Sequence, residues 1–285
     1  MVAQIPSRSR SASFAPLCLL LAACGSEEHS PVDSGAGEVP AASAPREGGS
    51  RPSARGAGKP AAREIGEEPY ESAELGALHG EILFEGEVPE RFLLGASQMK
   101  ECQHHPEVDQ RFNVVVVNDG RLAHAYVHIL SGYDDTRVPA PPEVPVTLGQ
   151  RGCMYVPRVL GLQLGQKLLV ENGDPTTHNV HVFAKRNPGS NRSMGANQAA
   201  MEYRFEKPEL PVDFKCDIHP WMGAEVFVEP HPWFAVSDEH GRFHIPAVPP
   251  GEYVVEVVHG TLGKTSGGVS VKAGRSQGIA FTLRE

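Results

Sequence analysis

The chain has 285 residues, 40% of them hydrophobic, and 26 Lys+Arg stand against 35 Asp+Glu for a net charge of −9. The length suffices for two small domains, each with its own core. The mildly acidic balance argues against nucleic acid as a partner.

Arg8 and Arg10 precede an apolar run from Phe14 to Ala23. A run of about ten apolar residues is too short to cross a bilayer and reads as an export signal. It ends Leu21-Ala22-Ala23-Cys24-Gly25, which resembles a bacterial lipoprotein signal. The resemblance implies removal of residues 1–23, a lipid on Cys24 and, with Gly25 in place of Asp, the outer membrane. Residues 24–76 are rich in Gly, Ala, Ser, Pro and Glu and hold almost no large apolar side chains. Such a composition buries too little surface to offset chain entropy, so a disordered tether with a reach of roughly 40 Å is expected. The expected location is extracytoplasmic, on a membrane, held by the lipid.

From residue 77 onward the expected fold class is all-β. Short runs at 81–84, 114–117, 125–130 and 225–228 are rich in β-branched and aromatic residues and are separated by Gly, Pro, Asn and Asp. The run 159–170 alternates apolar positions, with a turn expected at Gly165-Gln166. The stretches 234–237 and 242–245 flank Asp238-Glu239-His240-Gly241 and read as a hairpin. Val248-Pro249-Pro250-Gly251 reads as a further turn before a strand at 254–258.

The chemistry concentrates in Cys216-Asp217-Ile218-His219-Pro220-Trp221-Met222, which puts a thiolate, an imidazole and a thioether in one short loop. Upstream, Asn172-Gly173-Asp174-Pro175-Thr176-Thr177-His178-Asn179-Val180 offers a second imidazole. Two His, one Cys and a weak axial Met form the trigonal donor set of a blue-copper electron-transfer centre. The Asn-x-Asp…His-Asn-Val run and the Cys-x-x-His-Pro-x-Met loop resemble the cupredoxins, most closely the plastocyanin and amicyanin type, over roughly residues 140–229. The resemblance implies a Greek-key β-sandwich holding one type 1 copper through His178, Cys216, His219 and Met222. Asn179 is then expected to hydrogen-bond across to the ligand loop, and Pro220 and Trp221 to stiffen it. The edge of His219 is expected to be an electron port in an apolar patch. It would serve a transient redox partner, such as a c-type cytochrome or another copper protein.

Of the five cysteines, Cys18 lies in the signal, Cys24 is the expected anchor and Cys216 the thiolate donor. Cys102 and Cys153 remain, either as a disulfide, which suits an oxidising compartment, or as two separate buried thiols. His104, His105, His128, His231, His240, His244 and His259 read as structural, and His181 at most as an accessory donor.

Residues 80–89, 122–129 and 234–258 resemble the carboxypeptidase regulatory-like domain, a transthyretin-like β-sandwich. Residues 230–285 alone are too short for it. The resemblance therefore implies a discontinuous domain, 77–138 with 230–285, carrying a cupredoxin domain at 139–229 as an insert. A simpler arrangement, a cupredoxin from 77 to 229 with a C-terminal appendage, stays open.

Three functions remain: an electron carrier, a copper storage or delivery protein, and a structural lipoprotein with little or no metal use. The 6 Met form no repeated cluster, which counts against storage. No enzyme is expected, because the chain has no His-x-His pair for further copper ions, no Ser-His-Asp order and no phosphate-binding Gly loop.

Overall fold

The computed structural model describes residues 63–69 and 73–285; the expected signal, Cys24 and most of the expected tether lie outside the described residues. Strands β1 (Arg63–Pro69), β2 (Gly76–Glu85), β3 (Val117–Asn118), β4 (Arg121–Leu122) and β5 (Tyr126–Ser131) come first. Then follow β6 (Val146–Arg151), β7 (Met154–Val156), β8 (Val159–Gln163), β9 (Leu168–Asn172), β10 (His178–Phe183), β11 (Ser190–Met194), β12 (Met201–Tyr203), β13 (Glu209–Lys215) and β14 (Gly223–Glu229). The chain closes with β15 (Phe234–Val236), β16 (Arg242–Val248), β17 (Gly251–His259), β18 (Gly263–Val271) and β19 (Arg275–Arg284). Among the described residues, short 3-10 turns are the sole helical elements.

The first and last groups share two sheets, ordered β1-β19-β2-β4-β3, with β16 also on β2, and β15-β5-β17-β18. The middle group makes two of its own, β11-β10-β13-β14-β8 and β12-β9-β6-β7. Each pair of sheets encloses one core. Leu78, Ile129, Val255 and Ile279 lie in the first; Leu148, Leu162, Val180, Phe214 and Val226 lie in the second. The chain thus leaves one sandwich after β5, builds the whole of another, and returns at β15. Parallel pairing of β2 with β19, from Ala77↔Ser276 to Glu85↔Arg284, joins the two halves of the split sandwich.

A third, smaller cluster of Tyr126, Val159 and Phe227 joins the sandwiches. The Tyr126 and Phe227 rings stack at 3.9 Å. Gly161 in β8 is needed for this approach, since a Cβ there would stand 2.6 Å from the Phe234 ring and 2.9 Å from Tyr126.

The expected turn at Gly165 is present, with Gly165 at φ 89° and Gln166 N donating to Gln163 O at 2.9 Å. Arg63–Pro69, at the end of the expected tether, pairs antiparallel with β19 along the sheet edge. One expectation needs correction. The stretch 234–245 does turn at Asp238, whose carboxylate accepts from His240 N and Arg242 N, both at 2.8 Å. Its strands diverge, however: β15 pairs with β5 and β16 with β2, which lie in opposite sheets. The apolar face of β16, Phe243 and Ile245, fills the split core from the β2 side.

Candidate metal centre

The loop before β10 is shaped by Asn172. Its Oδ1 accepts from Asp174 N at 3.0 Å, and its Nδ2 donates to Thr176 O at 2.9 Å and to the carbonyls of Met194 and Gly195. This Asx-type turn directs the Asp174 carboxylate inward. Gly152 and Cys153 both have left-handed backbones, at φ 61° and 53°. Their N–H groups converge on Asp174 at 2.7 and 2.9 Å, a small backbone nest for a carboxylate. Asp174 Oδ2 in turn accepts from His178 Nε2 at 2.9 Å. In the neutral ring this leaves Nδ1 of His178 as a lone pair, turned toward His219 Nδ1 at 3.0 Å.

The second set of donors comes from the loop between β13 and β14. Met222 N donates to His219 O at 2.9 Å and Cys216 N to Met222 O at 3.3 Å, which closes the loop on itself. Asn179 Oδ1 accepts from Asp217 N at 2.7 Å, Ile218 N at 3.4 Å and the Cys216 thiol at 3.3 Å. Its Nδ2 donates to Asn191 Oδ1 at 2.7 Å and Asp217 Oδ2 at 3.0 Å. Asn179 therefore ties β10 to the ligand loop. Cys216 Sγ lies 3.7 Å from His219 Nδ1, and the donor atoms of His178, Cys216 and His219 all fall within 4.8 Å of one another. Met222 is buried in the same core as Cys216. His181 is not drawn into this group: its Nδ1 lies 3.0 Å from Asp217 Oδ1 on the outer side of the loop. Pro220 is exposed, whereas the Trp221 indole is half-buried and donates to Cys153 O at 2.9 Å.

Electrostatics prepare these groups for a cation. Burial pulls the His178 ring down, but the Asp174 carboxylate and Cys216 more than offset it and leave its pKa raised. Burial pushes the Cys216 thiol up, yet His178 and nearby backbone N–H groups bring it below the ordinary thiol value. Burial, followed by the His178 charge, holds His219 below the ordinary histidine value. Two imidazole nitrogens and a thiol biased toward thiolate, with a thioether in the same core, fit copper and its known preference for soft sulfur and imidazole donors.

A strap from the split sandwich, residues 91–112, lies over this centre. Leu94 N donates to Gln110 O at 2.9 Å and Phe112 N to Phe92 O at 2.8 Å, closing its neck. Its turns Gly95–Gln98 and Lys100–Cys102 bury Ala96 and Cys102 in the core of the inserted sandwich. Cys102 and Cys153 form a disulfide, and their sulfurs lie within 4.8 Å of a His219 ring nitrogen. The backbone at Gly95 crosses the Trp221 ring closely enough that a Cβ would sit 2.8 Å from it. In consequence His219 is only 2% exposed. The expected open edge of His219 is thus corrected: the disulfide and the strap cover it. Sequence reasoning gave Asp174 no role beyond its place in the Asn-x-Asp run, and it missed His105, which approaches Asp174 Oδ1 at 3.8 Å, and the strap itself. The one available signal was the carboxylate four residues before His178.

No family model matches the chain, and no curated protein matches it. Among solved structures, a Cu-containing nitrite reductase from Thermus scotoductus SA-01 aligns at 22% identity with a TM-score of 0.29, over 32% of this chain and 27% of that one. The Cu(I) form of an amicyanin mutant aligns at 21% identity and TM-score 0.28, over 36% of this chain and 98% of that one. A purple cupredoxin from Nitrosopumilus maritimus aligns at 19% identity and TM-score 0.26, over 30% of this chain and 99% of that one. The similarity is confined in each case to about a third of this chain.

Proposed function

We propose that the protein binds one copper ion through His178, Cys216, His219 and Met222 and carries single electrons. The observation that supports this most is the convergence of two imidazole nitrogens and a thiol within 4.8 Å inside a β-sandwich core. Copper, when bound, supplies the one-electron Cu(I)/Cu(II) couple. The chain's part is to hold the donors still. Asp174 orients His178, Asn179 holds the loop, and β10, β13 and β14 fix both in one sheet. His178, Cys216, His219 and Met222 are each no more than 2% exposed. Enclosed donors suit retention of the ion more than delivery, and they leave no approach for a substrate, so the reading is a carrier and not an enzyme. An electron leaving by way of His219 crosses one layer of chain, the strap, before it meets a partner. That partner is proposed to be a c-type cytochrome or another copper protein. The proposed setting is extracytoplasmic, with the head tethered to a membrane through lipidated Cys24.

The test is the visible spectrum of the purified chain after addition of Cu(II). An intense thiolate-to-copper band, bleached reversibly by a one-electron reductant and lost in Cys216→Ser, is the expected result. A colourless protein that retains Cu(I) would point to storage instead. A chain that retains no copper leaves a structural lipoprotein.

A further inference from the structure

A second cluster of donors lies where the chain passes from the inserted sandwich back to the split one. His128 stands on β5, Glu229 is the last residue of β14, and His231 follows two residues later. They are 2%, 2% and 1% exposed, and one donor atom from each lies within 4.8 Å of the others. His128 Nδ1 sits 2.7 Å from Glu229 Oε1, and its Nε2 sits 3.5 Å from Glu256 Oε1 on the neighbouring strand β17. Yet neither ring nitrogen makes a hydrogen bond, so the contacts lack hydrogen-bond direction. Glu229 Oε2 lies 3.8 Å from His231 Nε2, and Glu229 Oε1 accepts a long bond from Tyr126 OH at 3.4 Å.

Charge makes this arrangement unusual. Glu256 has Lys264 at 3.0 Å. Among the described residues, the ion-pair partners of Glu229 are the two histidines. A buried imidazole with neither nitrogen hydrogen-bonded is unfavourable unless something else satisfies it, and the long Tyr126 bond is the one hydrogen bond to the Glu229 carboxylate among the described residues. Two imidazoles and a carboxylate are a familiar zinc donor set. His231 Nε2 now donates to Ile129 O at 2.9 Å, and its Nδ1 accepts from Trp233 N at 3.2 Å. Ligation by Nε2 means giving up the Ile129 bond, so His128 and Glu229 are the primary pair and His231 completes the set.

We propose that His128, Glu229 and His231 form a second site for a divalent transition-metal ion of the zinc class, separate from the copper centre. Three buried protein donors would fill three of zinc's four positions and leave the fourth to water or another small ligand. The ion would pin β5 of the split sandwich to the end of β14 in the inserted one. Its role is structural, at the point where the chain changes sandwich.

The experiment uses the full chain, stripped of metal, loaded with one equivalent of copper, and then given Zn(II). Metal content is measured after desalting. The expected result is one retained zinc per chain and a thermal midpoint that rises on zinc addition. Glu229→Gln, which preserves shape, and His128→Ala should each lose the zinc and the rise in midpoint while keeping the copper spectrum. If His128→Ala does not fold, Glu229→Gln alone decides. A wild-type chain that retains no zinc, or zinc retained equally in Glu229→Gln, overturns the proposal. Zinc that disappears instead in Cys216→Ser belongs to the first centre and overturns it as well.

Discussion

Asn179 and Asp174 each hold one half of the proposed copper centre, Asn179 through the ligand loop and Asp174 through His178. Asn179 Oδ1 accepts from three donors in the ligand loop, at a residue only 8% exposed. Asn179→Ala should leave those donors unsatisfied, weaken copper binding about 10–100-fold, and speed copper release; stopped-flow chelation measures this. Asp174→Asn keeps the shape and removes the charge behind His178. A less basic His178 favours the oxidised ion less, so the reduction potential should rise, as read by redox titration of the visible band. The donors themselves were legible because Cys216, His219 and Met222 share one loop and their chemistry is rare in combination. The role of Asp174, unlike its place in the Asn-x-Asp run, was not legible, because it depends on the N–H groups of Gly152 and Cys153, twenty-two and twenty-one residues away, and on their left-handed backbones.

At the scale of elements, strands with alternating burial could be read directly, whereas the strap could not. β13 alternates from Pro211 on, with buried Val212 and Phe214 alternating with half-buried Pro211 and Asp213 and exposed Lys215, and that period is visible in the residues. Residues 91–112 have no period, and their order comes from a disulfide, a closed neck and Gln110, whose Nε2 donates to Cys102 O at 2.6 Å and Gly152 O at 2.9 Å. Asp109 clamps the neck between Arg91 at 2.7 Å and Arg111 at 2.9 Å. The Cys102–Cys153 bridge spans 51 residues of sequence, so its loss should cost about 4 kcal/mol by chain entropy. The double variant Cys102→Ser, Cys153→Ser should therefore unfold at lower denaturant. It should also free the strap from His219, so that electron exchange with a small soluble oxidant speeds up while the copper band persists. Unchanged exchange with lowered stability would show that the strap does not gate His219.

At the scale of the whole molecule, the joint between the sandwiches sets the response to acid. His259 closes β17 and is 4% exposed; its Nδ1 accepts from Thr261 N and Leu262 N, both at 3.3 Å. Burial, then the positive charges of Arg158 and His124, depress its pKa to about 4. Arg158 belongs to the inserted sandwich, and its guanidinium donates to Gly223 O at 3.2 Å. The unfolded chain binds a proton at this histidine below about pH 6.5, whereas the folded chain binds it only below about 4. Between those values the unfolded state holds the extra proton, so stability must fall as pH falls. The loss from this one group is on the order of 3 kcal/mol by pH 4 and absent above pH 7. Burial holds His124 and His231 down as well, so they act in the same direction. His178 is raised and opposes them, losing stability as pH rises. His259→Asn puts an amide oxygen where Nδ1 accepts and removes the titration. In urea unfolding of the copper-free chain, the variant should show a flatter pH dependence than wild type between about pH 6.5 and 4. Parallel curves for the two proteins would place the acid response elsewhere than in the joint.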